Sequence, residues 1–128
     1  MKSVLSSCLF FAGCLLILSC GPKVEKSKIL GKWQGVSIKY PNESWTYKGG
    51  TQLADKAYYE FKEDDTFSGT SLTGKPQAGK YSSLGNMLYL HPTGGGKIAY
   101  ELKSVSENEL VFNTNPGAIG VLLKMVRK

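Results

Sequence analysis

Beyond residue 20 this chain has no cysteine. Its three, Cys8, Cys14 and Cys20, fall in the first twenty of 128 residues. That excludes a disulfide framework and a thiolate metal centre from everything downstream, so the fold must rest on an apolar core. A domain of roughly 100 residues buries on the order of 65% of its unfolded surface, which is usually enough. Histidine occurs once, as His91. Zinc sites need three or four ligands, so His91 is read as a loop residue rather than a metal or haem ligand, and the chain calls for no metal and no cofactor. Long runs of like charge are missing too: only Glu63-Asp64-Asp65 and the terminal Arg127-Lys128 stand out. The net charge of +6, from 16 basic and 10 acidic residues, is scattered. A nucleic-acid face would gather its Lys and Arg on one stripe and add stacking aromatics, so no nucleic-acid partner is expected. No apolar pattern of helical period runs longer than two turns after residue 27. There is no Gly-x-Ser-x-Gly elbow, and Glu63, Asp64 and Asp65 sit in a turn where carboxylates are solvated rather than opposed and enclosed. The chain therefore reads as non-enzymatic, with no catalytic residues. Thr93-Gly94-Gly95-Gly96-Lys97 lacks the strand-to-helix setting of a phosphate loop and reads as a hairpin tip.

What is present begins with an export pattern. Met1-Lys2-Ser3 carries one positive charge, and Val4 to Leu18 is nearly all apolar or small. A charged start, a short apolar run and then small residues make a secretory signal. The run falls short of the ~20 residues that span a bilayer as a permanent helix. Its end, Ile17-Leu18-Ser19-Cys20, resembles a bacterial lipobox. Phe11-Ala12-Gly13-Cys14 is a rival, but cleavage there would leave Leu15-Leu16-Ile17-Leu18 at the new terminus, whereas Cys20 is followed by polar Gly21-Pro22-Lys23. The resemblance implies cleavage before Cys20 and acylation of its thiol and amino group. Residues 1–19 are then a signal peptide, 20–28 an acylated cysteine (the lipidation site) with its tether, and 29–128 the folded domain. Two or more acyl chains hold a protein firmly to a membrane. The lipid anchor makes the membrane a partner and places the protein in the bacterial cell envelope, at the outer membrane. The tether lacks the acidic run that directs some Bacteroidetes lipoproteins to the cell surface, which favours the periplasmic side.

After the tether the chain reads as short strands joined by turns. Lys32 to Tyr40 alternates Val36, Ile38 and Tyr40 against Ser37 and Lys39, with Trp33 on the other parity, so a bulge is expected near Gly35. Pro41 to Lys56 is weakly patterned and reads as a loop or a cap over one barrel end, with Trp45-Thr46-Tyr47 as a short strand within it. Tyr58–Lys62 and Thr66–Thr70 flank the acidic turn. Gly74-Lys75-Pro76-Gln77 is turn chemistry. Gly79–Ser83 turns through Leu84-Gly85-Asn86 into Met87–Leu90, and His91 to Gly96 is a loop. Ile98–Val105, Leu110–Phe112 and Val121–Arg127 complete the set. About eight strands at roughly 12 residues each, with short connections, predict an all-β, antiparallel up-and-down barrel. A sandwich with longer crossovers is the alternative.

Leu30-Gly31-Lys32-Trp33 is similar to the Gly-x-Trp motif on the first strand of lipocalins. Tyr58 to Gly69 resembles the hairpin of the small lipocalin-like lipoproteins of Bacteroidetes. Gly79-Lys80-Tyr81, Met87-Leu88-Tyr89-Leu90 and Ser106-Glu107-Asn108-Glu109-Leu110 match later strands in order and spacing. The resemblance spans residues 29–128. It implies a lipocalin-like barrel of about eight strands, with Gly31 and Trp33 forming the barrel floor, that binds a small apolar or amphipathic ligand without catalysis. Asp65 departs from the family pattern, which often has glycine there. The chain is also shorter than an animal lipocalin, so a small interior is expected.

The aromatics Tyr59, Phe61, Phe67, Tyr81, Tyr89, Tyr100 and Phe112 all fall in strands. They are either barrel core or the lining of a ligand pocket, since eight-stranded barrels fill with side chains or hold one small ligand. Tyrosine hydroxyls would add polar handles, and small residues (Gly35, Gly69, Ser71, Gly79) would leave room for a cavity. The alternative function is an envelope protein-interaction module with a filled core, whose loops Pro41–Lys56 and Thr114–Gly120 contact a protein partner.

Overall fold

The computed structural model describes residues 22–49, 52–116 and 120–128. The signal segment and Cys20, on which the anchoring expectation rests, lie outside the described residues. A short helix α1 (Lys26–Ile29) precedes β1 (Gly31–Lys39), β2 (Lys48–Gly49), β3 (Gln52–Leu53), a 3-10 turn at Ala54–Lys56, β4 (Tyr58–Phe61) and β5 (Thr66–Thr70). Then come β6 (Pro76–Leu84), β7 (Met87–Pro92), β8 (Ile98–Val105), β9 (Glu109–Asn113) and β10 (Leu122–Arg127). Eight of these close an antiparallel barrel in the order β1-β10-β9-β8-β7-β6-β5-β4, while β2 and β3 pair apart from it. The order follows the chain, apart from closure between β1 and β10: short turns pair the neighbours from β4 to β9, while β1 meets β4 and β9 meets β10 across longer connections. Closure leaves the barrel without an exposed edge.

The first strand carries the bulge its parity requires. Gly35 pairs with Met125 and Ser37 with Lys124, so one residue, Val36, is inserted between them. Trp33 and Ile38, on opposite sequence parities, are consequently both buried. Val36 itself is exposed, which corrects the reading of Val36 and Ile38 as one face. β6 starts three residues earlier than expected: Pro76 is its first residue, opposite Thr70. A proline, having no N–H to donate, is tolerated at a strand start. β7 likewise runs on through His91 to Pro92.

The barrel has a closed end and an open end. At the closed end lie α1, the turns 62–65, 85–86 and 106–108, and the C-terminus. Trp33 is the plug there: it is 0% exposed, and its indole N–H donates to the Ile29 carbonyl at 2.7 Å. The Arg127 guanidinium lies 4.3 Å from the Trp33 ring centroid. Its three nitrogens donate to the carbonyls of Glu107, Leu30 and Lys28. One planar fork thus ties β10, α1 and the β8–β9 turn together. Arg127→Ala should lower stability by about 2 kcal/mol, read as a shifted urea midpoint. Arg127→Lys should recover less than half of that, because a point ammonium cannot reach three carbonyls in one geometry.

Part of the stretch expected to serve as a tether is packed on the domain. Val24 is buried and joins the core, and its N–H donates to the Gly85 carbonyl at 2.8 Å. Among the described residues, packing onto the barrel therefore already includes Val24, ahead of residue 29. The acidic turn also keeps its shape without a glycine. Asp65 adopts φ +67, Asp64 accepts from the backbone N–H and hydroxyl of Thr66, and Lys26 pairs with Asp65 at 2.8 Å.

Candidate functional site

The barrel interior is filled. Trp33, Tyr59, Phe61, Phe67, Tyr81, Tyr100 and Phe112 are all buried in one core cluster with Leu88, Leu90, Leu102, Leu110, Leu123 and Met125. The rings lie on one another: Phe61 meets Tyr81 edge-on at 5.2 Å, Tyr59 stacks on Phe61 at 6.0 Å, and Tyr100 lies 5.8 Å from Phe112. Six of the seven aromatics considered as pocket lining are thus packed core. Tyr89 is the exception. Leu88 and Leu90 on either side of it are fully buried, so its ring projects outward, where Lys97 sits 4.3 Å from its centroid.

Gly35, Gly69 and Gly79 do not open a cavity either, and Ser71 lies outside the strands. A methyl group placed on Gly35, Gly69 or Gly79 would run into the carbonyl oxygen of Ala54, Tyr58 or His91 respectively. These glycines let backbones approach closely, and that approach uses up the space.

One polar chain crosses the core. Tyr59 donates to the Gln77 side-chain oxygen at 3.3 Å, and the Tyr59 and Tyr100 hydroxyls are 3.0 Å apart. Each phenol has one proton, so Tyr100 donates to Tyr59. Burial pushes both phenols above the ordinary tyrosine value, because the phenolate would be desolvated. The folded value thus exceeds the unfolded one, so this pair's contribution is fully present below about pH 10 and is lost as pH rises beyond it. In an alkaline absorbance titration, Tyr59 and Tyr100 should stay protonated until the barrel opens, and Tyr100→Phe should remove part of that late step.

Gln77 leads from this chain to the open end. There Lys75–Ala78 of the β5–β6 connection and β6 face Pro92–Ile98 across a groove of about 680 Å³. Its origin is the register: β7 pairs with β6 only as far as Pro92 opposite Gly79, so Pro76–Ala78 overhang their partner. Thr93 closes the inner margin, giving its N–H and hydroxyl to the Ala78 carbonyl. Gly95 and Gly96, at φ +103 and +88, then turn the chain away. Pro76, Ala78, Pro92 and Ile98 supply apolar surface, Gln77 and Thr93 neutral polar groups, and Lys75 and Lys97 the charges; no acidic residue lines it. Concave sites of 300–1,000 Å³ suit small ligands. A smaller hollow of about 250 Å³, between Tyr40, Asn42, Lys103 and Leu122, lies at the same end.

Sequence reasoning missed this groove. Lys75, Pro76 and Gln77 carry only turn chemistry, and nothing local says how far β6 outruns β7. His91 lies on the outer face, exposed, with its Nε2 3.1 Å from the Ser82 hydroxyl. Among the described residues no group of three or more His, Cys, Asp or Glu could hold a metal ion. At the loops expected to meet a partner, Trp45 and Tyr47 are exposed. Residues 117–119 of the second loop fall outside the described residues.

Comparison with known proteins gives a family and a fold. The model of the lipocalin-like domain family matches residues 29–112. A lipocalin-like protein from Bacteroides uniformis is similar in structure, with a TM-score of 0.56 and 18% identity over 79% of this chain and 99% of that one. An uncharacterized protein from Bacteroides eggerthii gives a TM-score of 0.55 and 14% identity over 78% and 99%. No curated protein sequence matches this chain.

Proposed function

The chain belongs to the lipocalin-like domain family, a binding-type barrel, and from that premise we propose that it is a lipid-anchored, non-catalytic binding protein of the bacterial envelope that takes a small amphipathic ligand at its open end. The observation that carries this reading is the groove at Lys75–Ala78 and Pro92–Ile98. With the interior packed, this is where an apolar part can lie against Pro76, Pro92 and Ile98 while a polar part meets the Gln77 amide. The remaining donors of that amide are its N–H groups, since its oxygen already accepts from Tyr59. The anchor rests on the lipobox-like Ile17-Leu18-Ser19-Cys20, and the periplasmic face of the outer membrane on the absence of an acidic run after it.

The test is native mass spectrometry of the full-length protein purified from its own host. A reproducible small-molecule adduct is expected. Ala78→Trp, which fills the groove from an exposed position, should abolish the adduct and leave the melting temperature within about 3 °C of wild type, as surface changes do. An adduct that survives Ala78→Trp sinks the groove as its site. A second reading, the envelope interaction module, is favoured by the exposed rings of Trp45 and Tyr47. It would take over if the protein emerged bare and a cross-linked envelope partner were lost on Trp45→Ala with Tyr47→Ala.

A further inference from the structure

The folded unit starts close to the residue expected to carry the lipid. Val24 is 8% exposed and is hydrogen-bonded to Gly85. Only Gly21, Pro22 and Lys23 separate it from Cys20. Four fully extended residues reach at most about 14 Å. An acyl group on Cys20 would therefore hold one particular part of the barrel near the bilayer: the β6–β7 turn at the closed end.

That same turn carries an unexplained apolar side chain. Leu84 is 75% exposed, the most exposed large hydrophobic among the described residues. It lies at the tip of a protruding hairpin: β5 pairs with β6 only up to Lys80, and β6 and β7 run on together to Leu84 opposite Met87. Gly85, at φ +61, makes the sharp reversal, and Asn86 accepts from the Leu102 N–H at 2.8 Å, bracing the turn against β8. The hairpin tip is thus a rigid, apolar point placed beside the root of the anchor. Exposed Lys23 lies between Cys20 and Val24 in the chain, a residue type suited to the headgroup layer.

We propose that the closed end of the barrel lies against the membrane, with Leu84 inserted into the headgroup–acyl boundary, and that the open-end groove faces away into the aqueous compartment. This rests on the lipid-anchor reading above. Its consequence is that ligand enters and leaves from the aqueous side and not by lateral passage from the bilayer.

The experiment uses the full-length lipoprotein, processed in its host and reconstituted into phosphatidylethanolamine–phosphatidylglycerol vesicles. Leu84→Cys and Gly94→Cys each carry an environment-sensitive fluorophore; the acylated Cys20 is blocked. Quenching by headgroup spin-labelled lipid should be at least about threefold stronger at position 84 than at 94, because an interfacial side chain sits about 5–10 Å into the boundary. Equal quenching at the two positions, or stronger quenching at 94, on a chain whose intact mass includes the acyl groups overturns the orientation alone. A mature chain whose mass lacks acyl groups overturns the anchor reading and the orientation with it.

Discussion

Trp33→Ala should lower the unfolding free energy by about 3–5 kcal/mol, the cost of truncating a fully buried tryptophan. Three losses combine. The ring leaves a void at the closed end of the barrel, where it is 0% exposed. The Ile29 carbonyl loses its indole donor at 2.7 Å. Arg127 loses the ring beneath its guanidinium, and with it part of the packing that aligns its fork on α1. Urea denaturation followed by far-ultraviolet circular dichroism reads the change without depending on the remaining Trp45. Trp33→Phe separates the contributions, keeping most of the buried ring while removing the N–H. It should cost about 1–3 kcal/mol, the penalty of one unsatisfied buried carbonyl and a smaller ring. A Trp33→Ala protein within about 1 kcal/mol of wild type would remove Trp33 as the plug of the barrel floor.

Gly35→Ala should cost about 3 kcal/mol, the upper part of the usual range for overpacking. A methyl group at Gly35 would collide with the Ala54 carbonyl oxygen and come within 3.0 Å of the Ala57 methyl. Neither can swing aside, because the 3-10 turn is pinned on both flanks: the Gly35 N–H donates to the Ala57 carbonyl at 2.8 Å, and the Gln34 amide donates to the carbonyls of Asp55 and Ala57 at 2.8 and 3.1 Å. The damage should be local. Hydrogen exchange should accelerate first over residues 53–58 and at Gly35, with β7 and β8 less affected. Wild-type exchange there, with an unchanged urea midpoint, would show that the turn does not rest on β1 as described.

The hairpins were legible because their determinants are local. Tyr59 and Phe61 alternate with Glu60 and Lys62, and Ile98, Tyr100 and Leu102 with Glu101 and Lys103, at period two with turn residues between, and these stretches fold as read up to Leu102, after which a second bulge inserts Lys103. Legibility failed where the determinant is a register. Met87-Leu88-Tyr89-Leu90 is apolar throughout, so no alternation says which face is inward. Only the pairing of Leu88 with Tyr100 and of Leu90 with Ile98 sends Tyr89 outside. In β1 the bulge near Gly35 was readable, but not that Val36 is the inserted residue and so faces away from Ile38. The candidate site was hidden for the same reason: its wall is the stretch of β6, paired with β5, that extends beyond the last β7 partner, Pro92.

The all-β class, the antiparallel neighbour-to-neighbour topology and the burial of Trp33 on the first strand follow from alternation and turn chemistry, which act over a few residues. That the barrel is full, that the groove lies at its rim and that Val24 docks on the barrel emerge only in the folded molecule. Those outcomes depend on which side chains meet across the barrel and how far each strand overlaps the next, and both are set only when β1 closes on β10.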